Sequence, residues 1–537
     1  MMQTVRDATF DVLRRYALTT LYANPGSTEV ALLADLPDDL TFVLALHEGS
    51  VVGMATGQAI ATGRPALAIL HTTAGLGNAV GALATARVNR APLVVLVGQQ
   101  DRRHLALEPF LTGQLDGLAG DYPVWTHQPA RAQDVPGAVA RAWHEAQTGR
   151  GPALVVVPMD DWLCVMPPDQ VVAAPQTLLR PVAAADEAGA SLAGLLAQSV
   201  APVLVVGAGA DHPRTWSALV ALAERLSCPV WQESFGARAG FPQDHPLYAG
   251  VLPAGRAQQR NVLSAHDLVL AVGAPVFRHY PYQPGHLLTP GTRVAVITDD
   301  PAEAHRAPAD LAVLACPAIV VEHLAARLPQ RPCRTDEPPP GRRETMAAPE
   351  VGEPLRAGHV LAALAVRLAP ETIVVEETPS SRPELHRLLP ARRPLGFVSA
   401  AMGGLGFALP AAIGLRMALP ERPVVAVLGD GSAIYGIQAL WSAARYRVGA
   451  LFVVLANGRY AVLDRLAETA DAGKPPWPAF EEVSLSGLAT SFGCPARRIT
   501  AHDELLDVLN DVVPSLPDRT QPLLLDIAVA PDHHFHP

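Results

Sequence analysis

Five side chains in this sequence are of types that could do chemistry and fall where short apolar runs stop: Ser27, Glu48, His71, Asp430 and Asn457. Asp430 lies within Gly429-Asp430-Gly431, directly after the run Val424 to Leu428. Asn457 follows the next run, Ala450 to Leu455, and is 27 positions beyond Asp430. Two oxygen donors at neighbouring strand ends suit a hard divalent cation that also takes phosphate oxygens. Flanking glycines let a ligand approach the backbone closely. Glu48 opens a segment of small apolar residues, GSVVGMATGQAIATG. A carboxyl in such surroundings has its ionised form disfavoured, so its pKa is expected to rise and suit it to proton sharing. Ser27 follows Asn24-Pro25-Gly26, and His71 follows the run Ala66 to Leu70. A turn, a helix cap or a satisfied core histidine would account for Ser27 and His71 singly.

These residues need buried parallel strands to present them together. From residue 1 to about 180 the apolar runs at 21–23, 41–46, 66–70, 93–97 and 153–157 alternate with helical patterns. That alternation predicts a parallel sheet covered by helices on both faces. A second unit, 181–340, has runs at 203–206, 229–231, 268–272 and 294–297, and a third occupies 341–537. In such sheets ligands bind outside the carboxyl ends of strands, where all five side chains fall. Stretches 166–181 and 330–354 read as linkers, and Asp532-His533-His534-Phe535-His536 as a polar tail. The Gly207-Ala208-Gly209 turn lacks a third glycine, since position 212 is His, so a tight strand-to-helix turn is expected there rather than a dinucleotide site.

Composition excludes several classes. A net charge of −10 argues against sequence-independent binding to nucleic acid or to anionic membranes. Lys474 is the sole lysine, leaving Schiff-base chemistry little room. Cys164, Cys228, Cys316, Cys333 and Cys494 have neither metal-site nor redox spacing. A cytoplasmic α/β protein of three doubly wound domains is expected, with no long apolar segment that would span a membrane.

The Gly429-Asp430-Gly431…Asn457 stretch resembles the diphosphate-binding motif of thiamine-diphosphate-dependent enzymes, with Ala456 in place of the motif's first asparagine. Asn24-Pro25-Gly26-Ser27, His47-Glu48, His71-Thr72-Thr73-Ala74-Gly75, Gly273 to Arg278 and Gly403-Gly404-Leu405-Gly406 extend the likeness along the whole chain. Within the family they resemble the benzoylformate decarboxylases. The resemblance implies pyrimidine-binding, central and diphosphate-binding domains, thiamine diphosphate and Mg²⁺ as cofactors, and a homodimer or homotetramer with active sites between chains. It implies non-oxidative decarboxylation of an aromatic or bulky apolar 2-oxo acid to an aldehyde and CO₂. Acetolactate-synthase-like carboligation is the alternative, and a silent cofactor-binding subunit a third.

By position in the motifs, Glu48 would hydrogen-bond N1′ of the aminopyrimidine and promote loss of the thiazolium C2 proton. Asp430, Asn457 and the Arg459 carbonyl would hold Mg²⁺, with Gly429, Gly431, Ser432 and Tyr460 around the diphosphate. Leu405 would wedge the cofactor into a bent shape, and the Gly403 carbonyl would accept from its 4′-amino group. Asn24, Pro25, Gly26, Glu377 and Ser380 would complete the cofactor contacts. Ser27 and His71 would face the substrate. Tyr280 replaces the relatives' second active-site histidine, with His279 next to it. Phe110, Leu111, Phe397, Val462 and Leu466 would form the pocket wall, altered from the relatives at 110, 462 and 466, and Pro379 stands where they carry threonine.

Overall fold

A computed structural model describes residues 2–175, 178, 186–332, 346–350, 352–471 and 473–531. The domain limits expected at 180/181 and 340/341, the end of the first linker, much of the second and the tail Asp532–His536 lie outside the described residues. The first sheet holds β1 (Thr20–Asn24), β2 (Thr41–Leu44), β3 (Ala66–Leu70), β4 (Leu93–Gln99), β5 (Trp125–His127) and β6 (Pro152–Pro158). The second holds β7 (Pro202–Val206), β8 (Val230–Gln232), β9 (Tyr248–Val251), β10 (Leu268–Val272), β11 (Arg293–Thr298) and β12 (Leu311–Leu314). The third holds β13 (Ile373–Glu377), β14 (Phe397–Ser399), β15 (Val424–Gly429), β16 (Leu451–Ala456), β17 (Ala496–Ile499) and β18 (Leu523–Ala528). Every strand pair within the three sheets is parallel. Strands buried on both faces read as continuous apolar runs, which is why β3, β4, β10, β15 and β16 were visible in the sequence. The edge strand β5 carries no such run, whereas the edge strand β12 is apolar throughout, LAVL, although only Val313 of it is buried.

Strand order explains where ligands can bind. The first sheet runs β2-β1-β3-β4-β6-β5 and the third β14-β13-β15-β16-β18-β17, the same order repeated. Each reverses direction beside its first strand, at β1/β3 and at β13/β15, and such switch points open a crevice at the carboxyl ends. Read from β9, the central sheet runs β9-β8-β7-β10-β11-β12, the order typical of dinucleotide-binding sheets, with its switch point at β7/β10. That crevice is filled by the domain's own backbone. Gly209 N–H donates to the Gly273 carbonyl at 2.8 Å, and a Cβ on Gly207 would meet that same oxygen at 2.8 Å. The glycines of this turn therefore serve turn-on-turn packing, as the missing third glycine implied.

The first and third domains share one hydrophobic core, in which Met54, Ala55 and Ala59 pack with Ala408, Ala411 and Ile413. The contact is made by the Glu48–Thr62 and Ala408–Ala418 helices. Both are apolar on nearly every face, as a helix enclosed by protein must be. Glycine sets their separation. A Cβ on Gly57 would lie 2.2 Å from the Ala411 carbonyl oxygen, and one on Gly414 would lie 1.9 Å from that of Met54. The central domain joins the third through Trp216 and Ala239 in a second core. It is tied to the first by Arg90 and Arg150, which pair with Asp299 at 2.7 and 3.1 Å.

Candidate active site

In the first domain the predicted residues gather at the β1/β3 switch point. His47 caps the Glu48–Thr62 helix, its Nδ1 accepting from Gly49 N–H at 3.0 Å, so Glu48 is the first helical residue. The Glu48 carboxylate is buried, 8% exposed, but not in purely apolar surroundings. Asn24 Nδ2 donates to Oε1 at 3.0 Å and Asn78 Nδ2 to Oε2 at 3.1 Å. Two neutral amide donors fix both oxygens without adding charge. The expectation of an apolar setting is corrected to that extent, and Asn78 is a site residue for which no role was assigned from sequence. It belongs to the Thr72–Val88 helix, so one hydrogen bond links the elements that follow β2 and β3.

His71 ends β3 and faces the turn after β1. Its Nδ1 lies 2.9 Å from Thr28 Oγ1 and 3.1 Å from Glu29 Oε2. Ser27 and Pro25 are exposed and Gly26 is half-buried. The Gly26 position is obligatory, because a Cβ there would meet the imidazole at 2.4 Å.

In the third domain a cavity of about 230 Å³ is lined by Ser380, Leu405, Gly429, Asp430, Gly431, Ser432, Asn457, Arg459, Tyr460 and Val462 among others. With Pro379, eleven residues singled out from sequence thus share one wall at the β13/β15 switch point and the neighbouring end of β16. Burial pushes the Asp430 carboxyl upward, and backbone N–H groups of Gly458, Gly431 and Asn457 pull the other way. Its Oδ1 accepts from Gly431 N–H at 2.7 Å and its Oδ2 from Gly458 N–H at 2.6 Å. Asn457 Oδ1 accepts from Arg459 N–H at 3.1 Å. Among the described residues no cluster of three His, Cys, Asp or Glu could hold a metal. A cation here must draw on amide and backbone oxygens beside one carboxylate, a donor set for a hard ion rather than for zinc. Leu405 is 37% exposed and supplies apolar surface to the same cavity.

Several expected contacts fall elsewhere. Phe397 is 2% exposed in the core behind the sheet, where its ring lies against His386, so it is not part of a pocket wall. Alternation along β14 turned it to the wrong face. Glu377 does not offer its carboxylate to the cavity, whose wall begins at Thr378. Its oxygens accept from Gly406, Phe407 and Ala408 N–H at 2.6 to 2.8 Å, holding the turn that carries Leu405 onto the helix start. Burial pushes this carboxyl up to about 7 against those three donors. Gly403, at φ 72°, opens the same turn. Leu466 lies one helical turn past Val462 and outside the lining, while Leu463 is within it. Phe110 and Leu111 stand on an exposed loop of the first domain, Phe110 being 88% exposed.

Arg278 carries the central domain's loop to this site. Its Nη1 donates to the Ala401 carbonyl at 3.0 Å and its Nη2 to the Phe235 carbonyl at 2.9 Å, and it pairs with Glu233. His279 Nε2 is hydrogen-bonded to Gln259 of the same domain, and burial together with Arg256 lowers its pKa. That commits His279 locally and corrects its placing among the catalytic candidates. Tyr280 is 52% exposed.

The Glu48 carboxylate and the cavity belong to different halves. Glu48's hydrogen-bond partners are all first-domain residues, whereas every residue lining the cavity is in the third domain.

Comparison with known proteins identifies the family. Residues 3–119 match the thiamine pyrophosphate enzyme N-terminal TPP binding domain, 190–324 the central domain and 380–527 the C-terminal TPP binding domain. Benzoylformate decarboxylase from Pseudomonas aeruginosa is 38% identical over 98% of this chain and 99% of its own. A solved thiamine diphosphate-dependent 4-hydroxybenzoylformate decarboxylase from Rhodococcus jostii RHA1 superposes with a TM-score of 0.93 at 35% identity, covering 99% of this chain and 100% of that one. An acetolactate synthase large subunit from Parasynechococcus marenigrum is more distant, at 29% identity over 99% of this chain and 88% of its own. The chain belongs to the thiamine pyrophosphate enzyme family.

Proposed function

We propose that this protein decarboxylates an aromatic or bulky apolar 2-oxo acid, such as benzoylformate, to the aldehyde and CO₂. The reading rests chiefly on Glu48 and the Asp430–Asn457 edge standing at the switch points of two copies of one sheet. Bound thiamine diphosphate supplies the nucleophilic carbon and the electron sink. The protein supplies position, proton handling and a dry setting. Asp430, Asn457 and the Arg459 carbonyl hold Mg²⁺, with Gly429, Gly431, Ser432 and Tyr460 about the diphosphate. Glu48, held by Asn24 and Asn78, hydrogen-bonds N1′ of a pyrimidine bound to the cavity of a second chain. The active unit in this reading is a dimer or a pair of dimers, supported by the first-domain partners of Glu48 and the third-domain lining of the cavity. In that unit Asn24, Pro25 and Gly26 adjoin the cofactor, Ser27 and His71 face the substrate, and Phe110 and Leu111 cover its apolar substituent opposite Val462.

A panel of 2-oxo acids with thiamine diphosphate and Mg²⁺, scored for CO₂ and carbonyl product, tests this reading. Aldehyde release from arylglyoxylates supports it. Products joined by a new C–C bond as the main outcome would replace it with carboligation. Asp430→Asn is expected to weaken Mg²⁺-dependent cofactor binding at least about 10²-fold by calorimetric titration, since it removes the carboxylate that lines the cavity. Unchanged binding would dissociate Asp430 from the metal.

Tyr280 occupies the exposed end of the Arg278 loop. A phenol donates a hydrogen bond but is a poorer proton shuttle than an imidazole. Tyr280→His is expected to raise kcat on benzoylformate several-fold, about 10-fold at most, with cofactor affinity unchanged. Equal rates and products in the two forms would make Tyr280 a bystander.

A further inference from the structure

We infer that Glu29 is a positioning residue for His71, fixing the tautomer in which Nδ1 carries the proton and Nε2 is left for the substrate. The inference rests on the reading of His71 given above and names the group that makes it work. Glu29 occupies the turn after β1 and is 2% exposed. A carboxylate so enclosed needs partners, and it has three. Gly26 N–H donates to Oε2 at 2.8 Å, Thr28 Oγ1 donates to Oε1, and His71 Nδ1 lies 3.1 Å from Oε2. An ionised carboxylate only accepts, so the ring nitrogen facing it must carry a hydrogen. Nε2 makes no hydrogen bond among the described residues.

Three further features reserve space for the pair. A Cβ at Gly98, on β4, would sit 1.8 Å from Glu29 Oε1, and one at Gly26 would sit 2.4 Å from the His71 ring. Thr72, directly after His71, holds φ at 35°, a conformation that a β-branched residue adopts only when its surroundings compel it. Two missing side chains and a strained residue thus converge on one hydrogen bond. Helix capping accounts for the Gly26 N–H bond to Glu29, which is the residue's contact as N3 of the Ser27–Glu29 turn, but not for the histidine. Glu29 faces a histidine from another strand, and the other carboxylate at this edge, Glu48, is held separately by Asn24 and Asn78.

Glu29→Gln keeps shape and removes charge. It is expected to lower kcat/KM about 10²-fold, because the imidazole loses its anionic partner. In a His71→Ala background the same substitution should change kcat/KM less than about 2-fold; effects that multiply would overturn the inference. Should Glu29→Gln fold poorly, Gly98→Ala displaces the carboxylate without removing it, and the same loss is expected; a fully active Gly98→Ala would count against the idea. The tautomer itself is read without turnover from the nitrogen shifts of ¹⁵N-histidine-labelled protein, with His71 assigned by its loss in His71→Ala. Protonated Nδ1 is expected in the wild type and loss of that preference in Glu29→Ala, since Gln can still place a carbonyl oxygen where Oε2 accepts from Gly26 N–H and faces His71 Nδ1. Protonated Nε2 in the wild type refutes the inference even if the chain decarboxylates. Protonated Nδ1 in a chain inert towards every 2-oxo acid leaves it standing and sinks the proposed reaction instead.

Discussion

Glu48→Gln is expected to lower kcat for decarboxylation about 10²- to 10⁴-fold, the range that one well-placed acid–base group contributes. The substitution preserves volume and leaves Asn24 within reach of an amide oxygen, but Gln cannot pass a proton to or from N1′. One of its two positions now carries an NH₂ that faces the NH₂ of either Asn24 or Asn78, both of which are donors in the structure. Cofactor affinity should fall far less than kcat, because the diphosphate edge lies in the other domain. Hydrogen–deuterium exchange at the cofactor's C2, followed by proton NMR, checks the assignment directly. Exchange as fast as in the wild type would remove Glu48 from the proton transfer.

Gly414→Val is expected to have the largest effect on stability. Its Cβ alone would stand 1.9 Å from the Met54 carbonyl oxygen, against backbone that cannot swing aside. The two helices must separate, and overpacking of this kind costs about 3 kcal/mol or more. At roughly 2–4 °C of Tm per kcal/mol for a large domain, the melting midpoint should drop about 10 °C, with much of the protein insoluble on expression. Gly77→Ala, on the adjoining helix where an added Cβ meets nothing within 4 Å, serves as the control. A Gly414→Val protein melting with the wild type would show that this helix pair is not as close as described.

What the sequence made legible was decided by burial and by strand ends. Runs enclosed on both faces marked β3, β10 and β15 to the residue or nearly so, and the carboxyl ends of such runs located His71, Asp430 and Asn457, while Glu48 follows the edge strand β2. Groups whose partners come from elsewhere in the chain were not legible. Glu29 reads as an ordinary turn acid until His71, 42 positions later, is folded onto it. Asn78 looks like one polar residue in a small-residue helix until Glu48 is set beside it. Glu377 was singled out as a cofactor contact, and only the tertiary turn shows its carboxylate spent on three amides. Phe397 failed because a one-residue uncertainty on a strand exchanges pocket for core. Leu466 failed for helical rise: four residues past Val462 is about 6 Å further along the axis, beyond the cavity.

The core shared by the first and third domains has a consequence for synthesis. The Glu48–Thr62 helix leaves the ribosome roughly 350 residues before the Ala408–Ala418 helix that covers it. At about 5–20 residues per second this interval lasts roughly 20–70 s. Through it, the nascent chain carries an apolar helix, bearing Glu48, whose permanent partner does not yet exist. The central domain, whose sheet closes on a core of its own, can fold within that wait. The order of translation is therefore not the order of completion, and the first domain made is finished last.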